Sequence, residues 1–320
     1  MNYYKRTADA LLQDLLDAFG AVLIEGPKWC GKTTTASQLA NSILRMQDPS
    51  MREEYLATAK TKPSILLKGD TPRLIDEWQD APMLWDAVRT TVDDRQIPGQ
   101  FILTGSNAVD KSQIHHSGAG RIARLRMLPM SLWESQESTG EVSLKELFNN
   151  PDYDIDGKMS KMTVEDLIFA ASRGGWPASL LARTPKAQLL VAKNYVQTIC
   201  SDDVSGIDGK KRDAKLTSMI LRAYARNVST LVKKKSLLDD VTSSGEVSCH
   251  VDTFDDYVSA LEKLFVIQNI SAWCPAIRSK TAIRSSVKRC FCDPSIPIAL
   301  LGLSPESLSM QLRTFGFIFE

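Results

Sequence analysis

The chain has 320 residues, of which 43% are hydrophobic and 24% charged, and its formal net charge is +1. This length suits two or more domains, and this composition is typical of a globular protein. A net charge so close to zero excludes a strongly basic nucleic-acid-binding protein, so any nucleic-acid surface must be local. No apolar run approaches the ~20 residues of a membrane span, and the first residues form no signal segment, so we expect a cytoplasmic protein without a membrane partner.

The first part of the chain alternates between strand-like and helix-like segments, which predicts an α/β domain with a parallel sheet. Strands are predicted at residues 21–24, 42–46, 73–78, 100–105 and 121–128. Helices are predicted at residues 11–19, 33–40, 51–59 and 83–93. Helices should therefore cover both faces of a five-stranded sheet.

The remaining chain is predicted to be mainly helical. Residues 135–162 are polar and contain Asn149-Asn150-Pro151, which favours a linker or mobile excursion. Helical periodicity returns at residues 164–172, 187–200, 214–231, 236–241 and 254–264. A strand-like run follows at residues 265–273, and three helices followed by a strand are typical of a winged-helix domain.

Residues 26–33 read Gly-Pro-Lys-Trp-Cys-Gly-Lys-Thr and fill every fixed position of the phosphate loop, G-x-x-x-x-G-K-[ST]. They follow a predicted strand and open a predicted helix, as this motif requires. Gly26 and Gly31 permit backbone angles that a side chain would block, so successive N–H groups wrap the phosphates at a helix N-terminus. Lys32 is placed to reach the β- and γ-phosphates, and Thr33 is placed to ligate Mg²⁺.

We therefore expect ATP or ADP, with Mg²⁺, to bind on the loop. The expected binding residues are Gly26, Pro27, Lys28, Trp29, Cys30, Gly31, Lys32, Thr33 and Thr34. Cys30 lies close to a helix N-terminus, where the thiolate is favoured, so we also expect it to react with alkylating agents.

A hydrophobic strand downstream ends in two carboxylates, Asp76 and Glu77. Asp76 is predicted to hold Mg²⁺ together with Thr33, either directly or through a water. Glu77 is predicted to polarise the water that attacks the γ-phosphate. Hydrolysis requires such a carboxylate in addition to the phosphate loop, so this pair indicates an ATPase.

Two further polar signals complete the predicted catalytic set. The strand at residues 100–105 runs into a polar segment whose members, Thr104, Ser106 and Asn107, are all candidates for positioning the attacking water. We assign this role to Asn107. Arg121 follows a glycine pair and is the candidate for stabilising the phosphoryl transition state, either in cis or from a neighbouring subunit.

These motifs, in this order, resemble those of the predicted prokaryotic AAA+ ATPases that carry an uncharacterised conserved domain after the ATPase core. The resemblance rests on residues 26–34, 72–79, 103–106 and 120–121, and more weakly on residues 173–177, 293–295 and 314–320. It implies a core with the strand order 5-1-4-3-2, a helical lid, a winged-helix segment and then a nuclease-like fold.

On this basis the chain divides into five parts. These are a P-loop core at 1–134, a linker or mobile excursion at 135–162, a helical lid at 163–212, a winged-helix-like domain at 213–275 and the start of a C-terminal domain at 276–320. The resemblance also implies that the run ending at Pro177 lets the backbone approach the adenine, although an ordinary turn explains these residues equally well. The family continues beyond the run that closes this chain at Glu320, so we expect a truncated domain without a nuclease-type metal site.

The sequence thus predicts Mg²⁺-dependent ATP binding and hydrolysis, coupled to conformational change of the lid and C-terminal domains. The alternatives are a slow nucleotide-dependent switch, a DNA-binding regulator, or the ATPase half of a nuclease-like module. Assembly into a homo-oligomer is expected to involve the ATPase core. DNA would bind through basic clusters of the winged-helix region at residues 233–235 and 278–289, which otherwise serve as a solvated, protein-facing lid.

Overall fold

Five short strands form the parallel sheet that the alternating pattern predicts. The computed structural model describes residues 3–106, 114, 116–243, 245–273 and 286–320. The strands are β1 (Ala21–Glu25), β2 (Ser42–Arg45), β3 (Arg73–Asp76), β4 (Phe101–Gly105) and β5 (Ile122–Arg126). They lie side by side in the order β2-β3-β4-β1-β5, which is the expected order read from the opposite edge. All four neighbouring pairs are parallel.

Helices cover both faces of this sheet. α1 (Thr7–Ala18) and α2 (Lys32–Leu39) lie on one face, where Leu12 packs with Val22 and Ile102. α3 (Arg52–Thr61) and α4 (Met83–Arg95) lie on the other. The central strands β1 and β4 are apolar on both faces because both faces are covered, as is usual for parallel sheets.

The register of the sheet aligns the carboxyl ends of its strands along one edge. Asp76 at the end of β3 lies beside Thr104 of β4, and Glu25 at the end of β1 lies beside Gly105 and Arg126. In open α/β sheets, ligands bind outside the carboxyl ends of the strands. The residues that follow β1, β3 and β4 therefore meet in one place.

The rest of the chain is mainly helical. Its helices are α5 (Leu144–Asn149), α6 (Val164–Arg173), α7 (Pro177–Leu180), α8 (Pro185–Thr198), α9 (Val204–Gly206), α10 (Ala214–Arg226), α11 (Lys234–Thr242), α12 (Val251–Lys263), α13 (Ser295–Leu300), α14 (Pro305–Ser309) and α15 (Leu312–Phe319). A π-helical turn, Ile199–Asp203, joins α8 to α9. Two strands, β6 (Ile267–Ile270) and β7 (Lys288–Phe291), pair antiparallel after α12.

This second region has a hydrophobic core of its own, in which Tyr224 of α10 packs with Phe254 and Leu261 of α12. Its three helices α10 to α12 were predicted, whereas β7 and the helices α13 to α15 were not. Within the described ranges, no helix combines the length and the apolar character needed to cross a bilayer.

Candidate nucleotide-binding site

Two glycines shape the loop between β1 and α2. Gly26 has a φ angle of +157°, and a Cβ atom there would lie 2.0 Å from the carbonyl oxygen of Met127. Gly31 has a φ angle of +100° and directly precedes α2. A Cβ atom at Gly31 would lie 3.6 Å from Cγ of Pro177, so Pro177 lies close to the loop. The loop thus delivers its backbone N–H groups to the N-terminus of α2, where they have no helical partners.

Lys32 is a buried cation whose hydrogen-bond partners are neutral. Its Nζ donates to the carbonyl oxygens of Gly26 at 3.0 Å and Pro27 at 2.8 Å, and the residue is 5% exposed. Burial lowers the pKa of this ammonium, although Glu77 and Asp76 nearby favour its charged form. A buried charge with only neutral partners is costly, so the site favours the arrival of an anion.

Asp76 collects two hydroxyl groups on one carboxylate oxygen. Thr33 Oγ1 and Thr104 Oγ1 each donate to Asp76 Oδ1 at 2.6 Å. Hydroxyl and carboxylate oxygens are ligands that Mg²⁺ prefers, and in nucleotide sites this ion needs only one or two protein carboxylates besides phosphates. Thr33 and Asp76 therefore fit Mg²⁺ by their chemistry and their closeness.

Glu77 adopts an unusual backbone conformation directly after β3. Its φ and ψ angles are +55° and +48°, in the left-handed region. Its Oε2 atom accepts hydrogen bonds from Ser106 Oγ at 3.2 Å and from Gln79 Nε2. Of the three candidates for positioning water, Thr104 within β4 contacts Asp76 and Ser106 just after β4 contacts Glu77. Asn107 lies outside the described residues.

Two loop residues contact the helical region rather than the sheet. Lys28 Nζ lies 2.6 Å from Asp203 Oδ1 in the π-helical turn. Trp29 has a φ angle of +65° and is 53% exposed, and its ring centroid lies 6.1 Å from that of Tyr195 in α8. Thr34, the third residue of α2, is exposed. The loop is therefore bound to the second region through side chains.

Cys30 does not have the reactive environment expected of it. Its thiol is fully buried and donates to the Met127 carbonyl oxygen at 3.7 Å, and burial raises its pKa. The prediction that Cys30 reacts with alkylating agents is therefore wrong, because burial outweighs the proximity of Lys32 and the helix N-terminus.

The Arg6 side chain stabilises the phosphate loop, a role that no sequence motif indicated. Its Nη1 donates to the Cys30 carbonyl oxygen and its Nη2 to the Leu128 carbonyl oxygen, both at 2.7 Å. Its Nε lies 3.2 Å from Glu134 Oε1, and both side chains are buried. This buried ion pair joins the segment before α1 to the loop and to the chain after β5.

Arg121 lies at the opposite end of the sheet from the loop. It precedes β5, and its carbonyl oxygen accepts from the N–H of Ala21, the first residue of β1. The loop begins after Glu25, the last residue of β1. Four residues at about 3.3 Å each separate Ala21 from Glu25, so the loop is about 13 Å away. Arg121 also pairs with Asp93 of α4 at 2.7 Å. The structure therefore does not bring Arg121 to the site of its own chain, and a role in cis is wrong.

Another arginine of the same strand ends at the correct edge. Arg126, the last residue of β5, lies beside Glu25 at the end of β1. Its guanidinium carbon is 5.1 Å from the ring centroid of Phe265, a residue between α12 and β6. Arg126 thus links the sheet edge to the second region, which the alternating pattern of β5 did not reveal.

The run Gly174-Gly175-Trp176-Pro177 is held by a second motif far along the chain. The N–H of Gly175 donates to Asp293 Oδ2 at 2.9 Å, and Trp176 Nε1 donates to Ser295 Oγ at 3.0 Å. The carbonyl oxygen of Gly175 accepts from the N–H of Met130 at 2.7 Å. These contacts are what places Pro177 next to the phosphate loop.

Comparisons with known proteins agree with this geometry. Residues 18–136 match the family model of an AAA domain, and residues 164–307 match a domain of unknown function, DUF8612. Uncharacterized proteins of Mycobacterium tuberculosis and Mycobacterium bovis are each 25% identical over 309 residues, or 93% of this chain. That alignment spans only 60% of the length of either relative.

A solved structure has the same fold over most of the chain. The Walker-type ATPase of Pyrococcus abyssi aligns with a TM-score of 0.53 and 12% identity, covering 93% of this chain and 96% of that one. The five-stranded parallel sheet, the phosphate loop that follows β1 and the match to the AAA domain lead to one assignment. Residues 18–136 match an AAA domain and have the fold of P-loop ATPases, and a mainly helical region follows them.

Proposed function

We propose that this protein binds Mg²⁺-ATP on residues 26–34 and hydrolyses it, and that nucleotide binding alters the contacts between this loop and the helical region. The AAA-type domain supports ATP binding and hydrolysis in general. The observation that carries the proposal is the convergence of Thr33 and Thr104 on Asp76, next to the buried Lys32 and to Glu77.

The chemistry follows from the positions of these groups. The N–H groups at the start of α2 bind the phosphate oxygens, and Lys32 exchanges two neutral carbonyl partners for a phosphate anion. Mg²⁺, when bound, neutralises charge on the β- and γ-phosphates. Glu77 orients the attacking water and accepts its proton, while Asp76 and Thr33 provide the ligands for the ion.

The first test is turnover of Mg²⁺-ATP by the Glu77→Gln variant. This substitution keeps the shape of the side chain and removes its charge, so kcat should fall by about 10²- to 10⁴-fold while ATP still binds. Removal of Mg²⁺ with a chelator should abolish turnover in the unsubstituted protein. Turnover that is unchanged in Glu77→Gln would refute the assignment of Glu77.

Coupling to the helical region is supported by the ion pair between Lys28 and Asp203. Lys28 is 39% exposed by its side chain and Asp203 is 9% exposed, so the pair is partly shielded from water. Asp203 thus holds the ammonium of a phosphate-loop residue against the helical region. Asp203→Asn should therefore free Lys28 and tighten ATP binding by about fivefold, the equivalent of about 1 kcal/mol for a partly exposed pair.

A double-mutant cycle isolates this contact. In a Lys28→Met background, Asp203→Asn should no longer change the Kd for ATP, because its partner is gone. Asp202→Asn, one residue earlier and exposed, is the matched control and should leave the Kd unchanged. Equal effects of Asp202→Asn and Asp203→Asn on the Kd would contradict the coupling.

Assembly enters the proposal through Arg121. Since it lies at the far end of its own sheet, Arg121 can reach a nucleotide only in a neighbouring subunit. Mixing Arg121→Ala with Lys32→Ala protein should then restore part of the turnover, because each supplies what the other lacks. Turnover per molecule that neither rises with protein concentration nor recovers on mixing would exclude this arginine from catalysis.

The described part of the three-helix unit offers no support for DNA binding. In helix-turn-helix proteins a helix such as α12 enters the major groove. α12 carries four acids, Asp252, Asp255, Asp256 and Glu262, against one lysine, Lys263. Of the predicted basic clusters, Lys234 pairs with Asp255 of this helix, and residues 278–285 lie outside the described residues. A slow nucleotide-dependent switch remains the second candidate, distinguished by a low kcat together with tight ATP binding.

A further inference from the structure

A glutamine two residues beyond Glu77 holds the carboxylate of that residue. Gln79 lies in the single turn of 3₁₀-helix at Trp78–Asp80, which directly follows Glu77. Its Nε2 donates to Glu77 Oε2. Ser106, just after β4, donates to the same oxygen at 3.2 Å. Two donors from two different strand ends therefore fix the orientation of one carboxylate.

The backbone at Glu77 requires such support. A non-glycine residue with φ of +55° and ψ of +48° is uncommon, and conformations of this kind cost about 1–3 kcal/mol. They persist where surrounding contacts enforce them, and they cluster at active sites. Here the turn directs Glu77 away from the line of β3 and towards the end of β4, where Ser106 receives it.

The carbonyl oxygen of the Gln79 side chain shows that packing does not require a polar group at this position. Gln79 Oε1 is buried and has no hydrogen-bond partner in the described part of the chain. It lies against β4, since a Cβ atom at Gly105 would be 2.9 Å from it. An unsatisfied buried acceptor costs about 1–3 kcal/mol, which an apolar side chain of similar volume would avoid. The amide therefore requires an explanation, and its bond to Glu77 provides one.

We propose that Gln79 is a positioning residue for ATP hydrolysis, which acts by holding the Glu77 carboxylate in place for the attacking water. Ser106 is the second support, and it donates to the same carboxylate oxygen. This inference rests on the proposed role of Glu77. It adds that Gln79, and not the carboxylate pair alone, determines how well the water is oriented.

Gln79→Met tests the proposal because methionine keeps the length and volume but has no donor. The kcat for ATP should fall by up to about 100-fold, since a misplacement of about 1 Å can cost this much. KM and the Kd for ATP from calorimetry should stay within about twofold, because ground-state binding does not involve Glu77. Gln13→Met, an exposed glutamine of α1, is the matched control and should keep its kcat.

The decisive measurement is Gln79→Met in a Glu77→Gln background. If Gln79 acts through Glu77, it causes no further loss of kcat there. An equal loss in both backgrounds would show a merely structural role, and an unchanged kcat of the single variant would also overturn the proposal. Should Gln79→Met fail to fold, Gln79→Asn gives the same comparison, because it withdraws the amide by one methylene.

Turnover of the two single variants distinguishes the role of Gln79 from the role of Glu77. If Glu77→Gln loses turnover but Gln79→Met keeps it, only the role of Gln79 is wrong. If Glu77→Gln itself keeps turnover, the assignment of Glu77 fails and Gln79 has nothing to position.

Discussion

Two buried cations in this protein have opposite environments. Lys32 in the phosphate loop donates only to two backbone carbonyl oxygens, and burial lowers its pKa. Arg212, between α9 and α10, binds both oxygens of Asp208 and also Asp256. The Asp208 carboxylate raises the pKa of Arg212, against the effect of burial.

The difference separates a ligand site from a structural network. Arg212 also donates to the Val204 carbonyl oxygen at 2.7 Å, so its charge is matched within the fold. Lys32 has two carboxylates nearby, yet within the described residues its ammonium donates to carbonyl oxygens and to neither carboxylate. A cation without an anionic hydrogen-bond partner is stabilised by a ligand, whereas a cation with two such partners stabilises the fold itself.

Removing the structural cation should have the largest effect on stability. Arg212→Met leaves Asp208 and Asp256 without their shared partner and the Val204 carbonyl without a donor. We expect the free energy of unfolding to fall by about 3 kcal/mol, the lower end for breaking a buried pair because both carboxylates are partly exposed. Urea unfolding followed by circular dichroism measures this loss. A change below about 1 kcal/mol would mean that the network contributes little.

Removing the ligand-site cation should have the opposite signature. Lys32→Met keeps the volume of the side chain and removes a charge that burial disfavours, so the free energy of unfolding should stay the same or rise. ATP affinity should fall by about 2 kcal/mol or more, since a charge-assisted contact to phosphate is lost. Calorimetry at a fixed Mg²⁺ concentration measures the second effect. A Lys32→Met protein that is less stable yet binds ATP normally would reverse the comparison.

The ligand site could be predicted from the sequence because its motifs are local. The loop at residues 26–33 and the pair Asp76-Glu77 are contiguous, and each follows a recognisable strand. The strand order followed from the resemblance and is confirmed by the sheet. The same strand pattern argues against a role of Arg121 in cis, since a residue before a parallel strand lies at the edge opposite to the ligands.

The long-range contacts could not be predicted, because their partners are distant in sequence and the side chains have no distinctive pattern. Lys28 and Asp203 are 175 residues apart, and Gly175 and Asp293 are 118 apart. β7 has only four residues, Lys288–Phe291, and becomes a strand through pairing with β6. Periodicity indicates which face of an element is buried, but not which distant charge packs against it.

The smallest expected effect is the loss of stability that the Arg212 network undergoes at low pH. The hydrogen bond from Arg212 lowers the pKa of Asp208 to about 2 from its ordinary value of 3.8. A carboxyl whose pKa is lower in the folded state stabilises the fold above its unfolded pKa, and this contribution is lost as the pH falls from about 4 towards about 2. Because the Asp208 side chain is partly exposed, screening should keep the loss below about 1 kcal/mol. The urea midpoint of Asp208→Asn should therefore change less with pH in this window than the midpoint of the unsubstituted protein. Equal pH dependence of the two midpoints would show that Asp256 alone holds Arg212.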